Sequence, residues 1–268
     1  MLPKGRRTGT ALVKVLRCTA HLLGGMWTIS RRFKYATPAQ RSAHVQQWAQ
    51  DFLKILEVQL RTSGTPRTQG PLLVVANHIS WLDILVMLAV QPVCFVSKSE
   101  IKSWPLIGWL ATNAGTLYIE RTSRRDAMRV VHHIADALKP AAPGHLAQMI
   151  AVFPEGTTSD GSVVLPFHGN LIQAAISVHA PIQPVALRYL DGETGALSLT
   201  PAYIDDDDLV TSVWRLLSSA PVVAMVHFAE PEAANGRDRR AWAQHLQQVV
   251  QQLVQQMVHQ AVESTPAQ

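Results

Sequence analysis

Four stretches of this chain carry residue types that could do chemistry. The first is Ala76-Asn77-His78-Ile79-Ser80-Trp81-Leu82-Asp83, directly behind an apolar run, Pro71-Leu72-Leu73-Val74-Val75. A neutral imidazole at His78 can take a proton from an alcohol as that alcohol attacks an acyl carbonyl. A carboxylate on its other nitrogen fixes the tautomer and stabilises the imidazolium. Residues five apart do not face each other on one helix. Pairing therefore needs His78 in a loop and Asp83 in the first turn of the helix that follows, where a carboxylate also suits the helix dipole. The same residues can be read as a helix cap beside an ordinary loop histidine.

The second stretch, Phe153-Pro154-Glu155-Gly156-Thr157-Thr158, follows the apolar run ending at Val152. Its carboxylate, glycine and two hydroxyls could bind a polyhydroxyl or phosphorylated headgroup, or form a Pro-Gly turn. The third, Gly115 to Arg121, delivers Arg121 at a strand end, where a planar guanidinium can grip phosphate with two prongs. A surface ion pair of Arg121 with Glu120 is the alternative. The fourth, Pro181-Ile182-Gln183-Pro184-Val185-Ala186-Leu187, reads as a structural strand. Asp205 to Asp208 could hold a divalent cation or form the loop that caps a helix starting at Leu209.

The elements that must position these residues alternate. Strands are expected at 72–76, 93–97, 116–119, 148–152, 182–189 and 222–228. Helices are expected at 81–90, 106–113, 124–138, 170–178 and 237–262. This pattern predicts an α/β fold with a mixed, mostly parallel central sheet covered by helices. Ligands in such sheets gather at the carboxyl ends of strands, which is where three of the four stretches lie.

The N-terminal quarter differs. Among 268 residues, 47% are apolar and 16% charged, with a net charge of +5. Eight Lys/Arg and no Asp or Glu occur through residue 34. A basic, acid-free segment of this kind suits a nucleic-acid arm, a targeting peptide or anionic lipid. Ala11 to Ile29 reads as an interfacial or shallowly inserted helix, one spanning helix being the alternative. Residues 39–61 read as an amphipathic helix with Val45, Trp48, Phe52, Ile55, Leu56 and Leu60 on one side. Trp27, Phe33, Tyr35 and Trp48 suit a belt at headgroup level. The expected organisation is a membrane-docking module over 1–65 and a catalytic domain over 66–268.

In this order and spacing, Asn77–Asp83, Gly115–Arg121, Phe153–Thr157 and Pro181–Val185 resemble the phospholipid/glycerol acyltransferase family, which includes the lysophosphatidic acid acyltransferases. The segment Lys98-Ser99-Glu100 with Trp104 to Trp109 is similar to the one this family places between its first two motifs. The resemblance covers about residues 70 to 190 and implies a glycerol-3-phosphate acyltransferase-like sheet. It implies transfer of a fatty acyl chain from acyl-CoA or acyl carrier protein to a lysolipid hydroxyl, without a covalent acyl-enzyme and without metal or organic cofactor. His78 would be the general base and Asp83 its partner. Arg121 would bind the acceptor's phosphate, and Glu155, Gly156 and Thr157 would shape the acceptor site. Asn77, Ser80, Lys98, Thr158 and His168 complete the expected substrate-binding set. The partners implied are membrane lipids and no nucleic acid, and the place implied is the cytoplasmic face of a bacterial-type inner membrane.

Two departures bear on the acceptor. Thr158 stands where many relatives have arginine, and His168 where many have lysine. Two missing cations weaken the case for a dianionic phosphomonoester. The Thr-Thr-Ser-Asp-Gly run is similar to that of enzymes acylating lyso-ornithine lipid, so lysophosphatidic acid is the first expected acceptor and lyso-ornithine lipid the second. A non-catalytic lipid-binding scaffold is the reading from another class, and an intact His78/Asp83 pair speaks against it.

Overall fold

The structure, a computed structural model, describes residues 4–119, 124–139, 148–204 and 206–263. Seven strands form the sheet: β1 Val58–Gly64, β2 Leu72–Ala76, β3 Cys94–Lys98, β4 Leu117–Ile119, β5 Met149–Val152, β6 Ile182–Asp191 and β7 Val222–Phe228. The helices are α1 Lys4–Thr28, α2 Pro38–Ile55, α3 Leu82–Val90, α4 Ile107–Asn113, α5 Arg124–Leu138, α6 Gly169–Ser177, α7 Leu209–Leu217 and α8 Arg239–Glu263. A π-helical turn (Ile29–Phe33) extends α1, and a 3-10 turn (Ser99–Ser103) leads from β3 towards α4.

The spatial order is β1-β7-β6-β2-β5-β3-β4. Strands β2 to β6 run parallel, while β7 is antiparallel to β6 and parallel to β1. The carboxyl ends of β2, β3, β4, β5 and β6 thus share one edge. Side-chain alternation divides the core. Leu72, Val74 and Ala76 pack with α1, α2 and α3, while Leu73 and Val75 pack with α5, α6 and α8. Both faces of β2 are buried, which its unbroken apolar run requires.

The helix expected over 39–61 ends at Ile55. Glu57 takes a left-handed φ of 57°, which a helix cannot continue. Beyond it, Val58 and Leu60 alternate with exposed residues as a half-buried strand does, so the apolar residues after Ile55 belong to β1. β1 lies before residue 65 in sequence yet pairs along its length with β7. Ahead of it, Lys14 of α1 donates to Glu57 Oε2 at 2.8 Å and to the Leu217 carbonyl at 3.3 Å, holding α1 against the sheet's helical layer. The opposite side of α1 and the following turn leaves Leu12, Val13, Leu16, Leu23, Trp27 and Tyr35 exposed. Among the described residues, no helix is long and apolar enough to cross a membrane.

Candidate active site

His78 lies in the loop after β2, and Asp83 sits in the first turn of α3. His78 Nδ1 is 2.8 Å from Asp83 Oδ2. The same oxygen accepts the Ile79 and Ser80 backbone N–H groups at 2.7 and 2.9 Å. The other, Oδ1, accepts the Tyr189 hydroxyl at 2.6 Å. Asp83 is fully buried, and these four bonds compensate the desolvation of its charge. Burial, with the Asp83 charge beside it, holds the Tyr189 phenol well above the usual range, so Tyr189 stays a donor. His78 Nε2 has no hydrogen-bond partner among the described residues, and the side chain keeps 20% of its exposure.

One face of the imidazole lies on Phe153, with centroids 3.9 Å apart and planes 5° from parallel. Phe95 backs Phe153 at 5.7 Å. This stack fixes the plane of the ring, so Asp83 and Phe153 together set where Nε2 points.

The β5 loop braces the histidine through the main chain. Glu155 is buried; its Oε1 accepts the His78 N–H at 2.8 Å and its Oε2 the Leu165 N–H at 3.0 Å. The His78 carbonyl in turn accepts the Ser159 N–H at 2.9 Å. Gly156 turns this loop at a φ of +76°, and a Cβ there would meet the His168 ring at 3.1 Å, so only glycine fits without strain.

Several expected ligand contacts turn inward. Asn77 is buried and its amide pairs both ways with Leu187, accepting N–H at 2.8 Å and donating to the carbonyl at 3.0 Å. It replaces the strand pairing that β2 gives up where it leaves β6. Ser80 is fully buried and its hydroxyl accepts the Leu82 N–H at 3.2 Å. Thr158 donates its hydroxyl to the Tyr203 carbonyl. Asn77, Ser80 and Glu155 therefore shape the site from beneath, where a substrate contact was expected of each. Thr157, His168 and Lys98 are exposed at the carboxyl edge. Lys98 ends β3 opposite Ile119, the last residue of β4. Arg121 lies outside the described residues. Asp208 caps α7 through Thr211 N–H at 2.9 Å, as the loop reading of the aspartate run expected, and Asp207 pairs with Arg215 at 2.8 Å.

The family model described as Acyltransferase matches residues 57–188, the segment from β1 through most of β6. A 1-acyl-sn-glycerol-3-phosphate acyltransferase of Neisseria meningitidis serogroup B is 38% identical over 216 residues, covering 80% of this chain and 81% of that protein. The chain belongs to the acyltransferase family. A lyso-ornithine lipid O-acyltransferase of Pseudomonas aeruginosa is 37% identical over 203 residues, covering 76% of this chain and 75% of that protein. The fold of this acyltransferase matches the crystal structure of the 1-acyl-sn-glycerophosphate acyltransferase PlsC from Thermotoga maritima. The TM-score is 0.71 at 18% identity, with 99% of each chain covered.

In this acyltransferase the Glu155 brace carries a titration of its own. Burial pushes its carboxyl from an ordinary 4.5 up to about 7, the two backbone N–H groups pull it down, and the Asp83 charge raises it. A raised folded-state value favours the protonated acid. Its contribution to stability is fully present below about 4.5 and is lost as pH rises through about 7. Relative to Glu155→Gln, the wild type is expected to lose on the order of 3 kcal/mol across that window and then level off. Urea unfolding of both proteins over this range measures it; parallel stability curves would show that Glu155 folds with an ordinary carboxyl.

Proposed function

We propose that this acyltransferase moves a fatty acyl chain from acyl-CoA or acyl carrier protein to the hydroxyl of a lysolipid, with His78 as general base and Asp83 as its orienting partner. The observation that carries the reading is His78 itself: Nδ1 held at 2.8 Å by a fully bonded carboxylate, and Nε2 at the sheet's carboxyl edge without a hydrogen bond among the described residues. Nε2 takes the proton of the acceptor hydroxyl as its oxygen attacks the thioester carbonyl. The C–S bond then breaks, and the departing thiolate takes the proton from the imidazolium. One ester and one free thiol result. The Phe153 ring face, negative by its quadrupole, favours the imidazolium as it forms.

1-Acyl-glycerol-3-phosphate is the first acceptor, supported by the close likeness to the meningococcal enzyme of that name. Lyso-ornithine lipid is the second. Thr158 favours it, since its hydroxyl bonds Tyr203 where the family pattern has a cation free to meet phosphate. The exposed apolar side of α1 supports docking on a bilayer. Around it, Arg32 lies 5.7 Å from the Trp27 ring and Arg41 5.9 Å from Phe33, an arrangement suited to a headgroup layer. Trp104, Leu106, Ile107 and Trp109, exposed beyond Lys98, supply a second apolar surface for acyl chains.

The test is thiol release from acyl-CoA and from acyl carrier protein against a panel containing lysophosphatidic acid and lyso-ornithine lipid. Turnover is expected with lysophosphatidic acid foremost. Preference for lyso-ornithine lipid reverses the order of acceptors, and no thiol release with any lysolipid overturns the reading.

A further inference from the structure

The β6–β7–β1 wing has a face that neither the catalytic pair nor the helical layer of α1 and α2 uses. Tyr189 and Leu187 point to the side of Asp83 and the α1–α3 core; Arg188, between them, points to the other. Register places Arg188 beside Met225 of β7, and Met225 beside Arg61 of β1. The next row on the same face is Ala186, His227 and Ser63, with Ser63 Oγ 2.8 Å from His227 Nδ1. α8 packs along β6 on this side, but Gln59, Arg61 and Ser63 of β1 remain partly or fully open.

Arg188 is only 8% exposed, and its Nε has no hydrogen-bond partner. Among the described residues, no hydrogen bond or ion pair reaches its guanidinium. Burial alone lowers its pKa, with no carboxylate acting on it. Arginine does not discharge in proteins, and a buried unpaired cation is costly. Arg61, across Met225, is exposed and has no carboxylate partner among the described residues. Two guanidinium groups thus share one sheet face with a hydroxyl and an imidazole, a donor set suited to an anion.

We infer that this face binds a phosphate ester, gripped by Arg188 and Arg61 at a site separate from the one around His78. The chemistry fits a lipid headgroup and a soluble phosphoester equally, and the planar forks would take two phosphate oxygens each.

Thermal unfolding of the full chain with pyrophosphate, against chloride at equal ionic strength, is the first arm. Wild type is expected to gain stability with pyrophosphate. Arg188→Met is expected to melt higher than wild type without ligand and to gain nothing from pyrophosphate. Arg61→Gln, an exposed substitution that spares the fold, is expected to weaken binding about tenfold. The second arm is cosedimentation with phosphatidylcholine vesicles with and without phosphatidic acid. A phosphatidic-acid-dependent loss in both variants assigns the phosphate to a lipid; loss confined to pyrophosphate assigns it to a soluble ester. Equal gains from chloride and pyrophosphate, or gains and vesicle binding that survive in both variants, overturn the inference.

Discussion

Replacing His78 by alanine is expected to slow acyl transfer by roughly 100- to 10,000-fold, the usual range for a lost general base. Among the described residues, the side chain makes one hydrogen bond, to Asp83, and stacks on one ring, Phe153. The backbone contacts to Glu155 and Ser159 do not depend on it. The fold is therefore expected to survive with only a small loss of stability, so the drop in rate reports chemistry. Thiol release measured beside a melting curve separates the two. A His78→Ala protein that folds and retains full turnover would remove His78 from the reaction.

Asp83→Asn has the larger combined effect. Asp83 accepts four bonds, from His78 Nδ1, two backbone N–H groups and the Tyr189 hydroxyl. An amide carries no charge and has one oxygen to offer; turned one way its NH2 group faces two backbone N–H donors, and turned the other it forces the Tyr189 hydroxyl to accept instead of donate. Losing the buried charge-assisted bonds is expected to cost about 1–3 kcal/mol. The imidazole also loses the carboxylate that fixes its tautomer and stabilises its cation, for which about 10,000-fold in rate is the known scale. The two substitutions act on one unit, so the double variant is expected to be no slower than the worse single one. Denaturant titration and thiol release on the three proteins test this. Multiplicative losses in the double variant would show that Asp83 and His78 act independently.

Much of the sheet is legible in local pattern. Arg124–Leu138 and Val222–Phe228 match the expected bounds residue for residue, because amphipathic and apolar runs there end at clear breaks. The end of α2 was not legible, since Leu56, Val58 and Leu60 extend the apolar spacing while the left-handed turn at Glu57 has no sequence signal. The spacing of His78 and Asp83 allowed their pairing, and the placement of His78 in the loop with Asp83 in the first turn of α3 realises it. What Asn77, Ser80 and Glu155 do does not follow from spacing. Their types suggested ligand contacts, but their partners are backbone groups at Leu187, Leu82 and Leu165, supplied by tertiary packing. Tyr189 escaped for the same reason: nothing near it in sequence announces that alternation along β6 aims its hydroxyl at Asp83.

The tie between Asp83 and Tyr189 spans 106 residues. At a translation rate of about 5–20 residues per second, the carboxylate leaves the peptidyl-transferase centre about 5–20 s before its phenol partner is even polymerised. Asn77 waits still longer in sequence, 110 residues, for the backbone of Leu187. Every bond that shapes the histidine loop from a distance is thus late, whereas α1, with its exposed Trp27, emerges ahead of all of their partners. If α1 docks on a bilayer as proposed, the nascent chain would reach the lipid surface before His78 and Asp83 are fully braced.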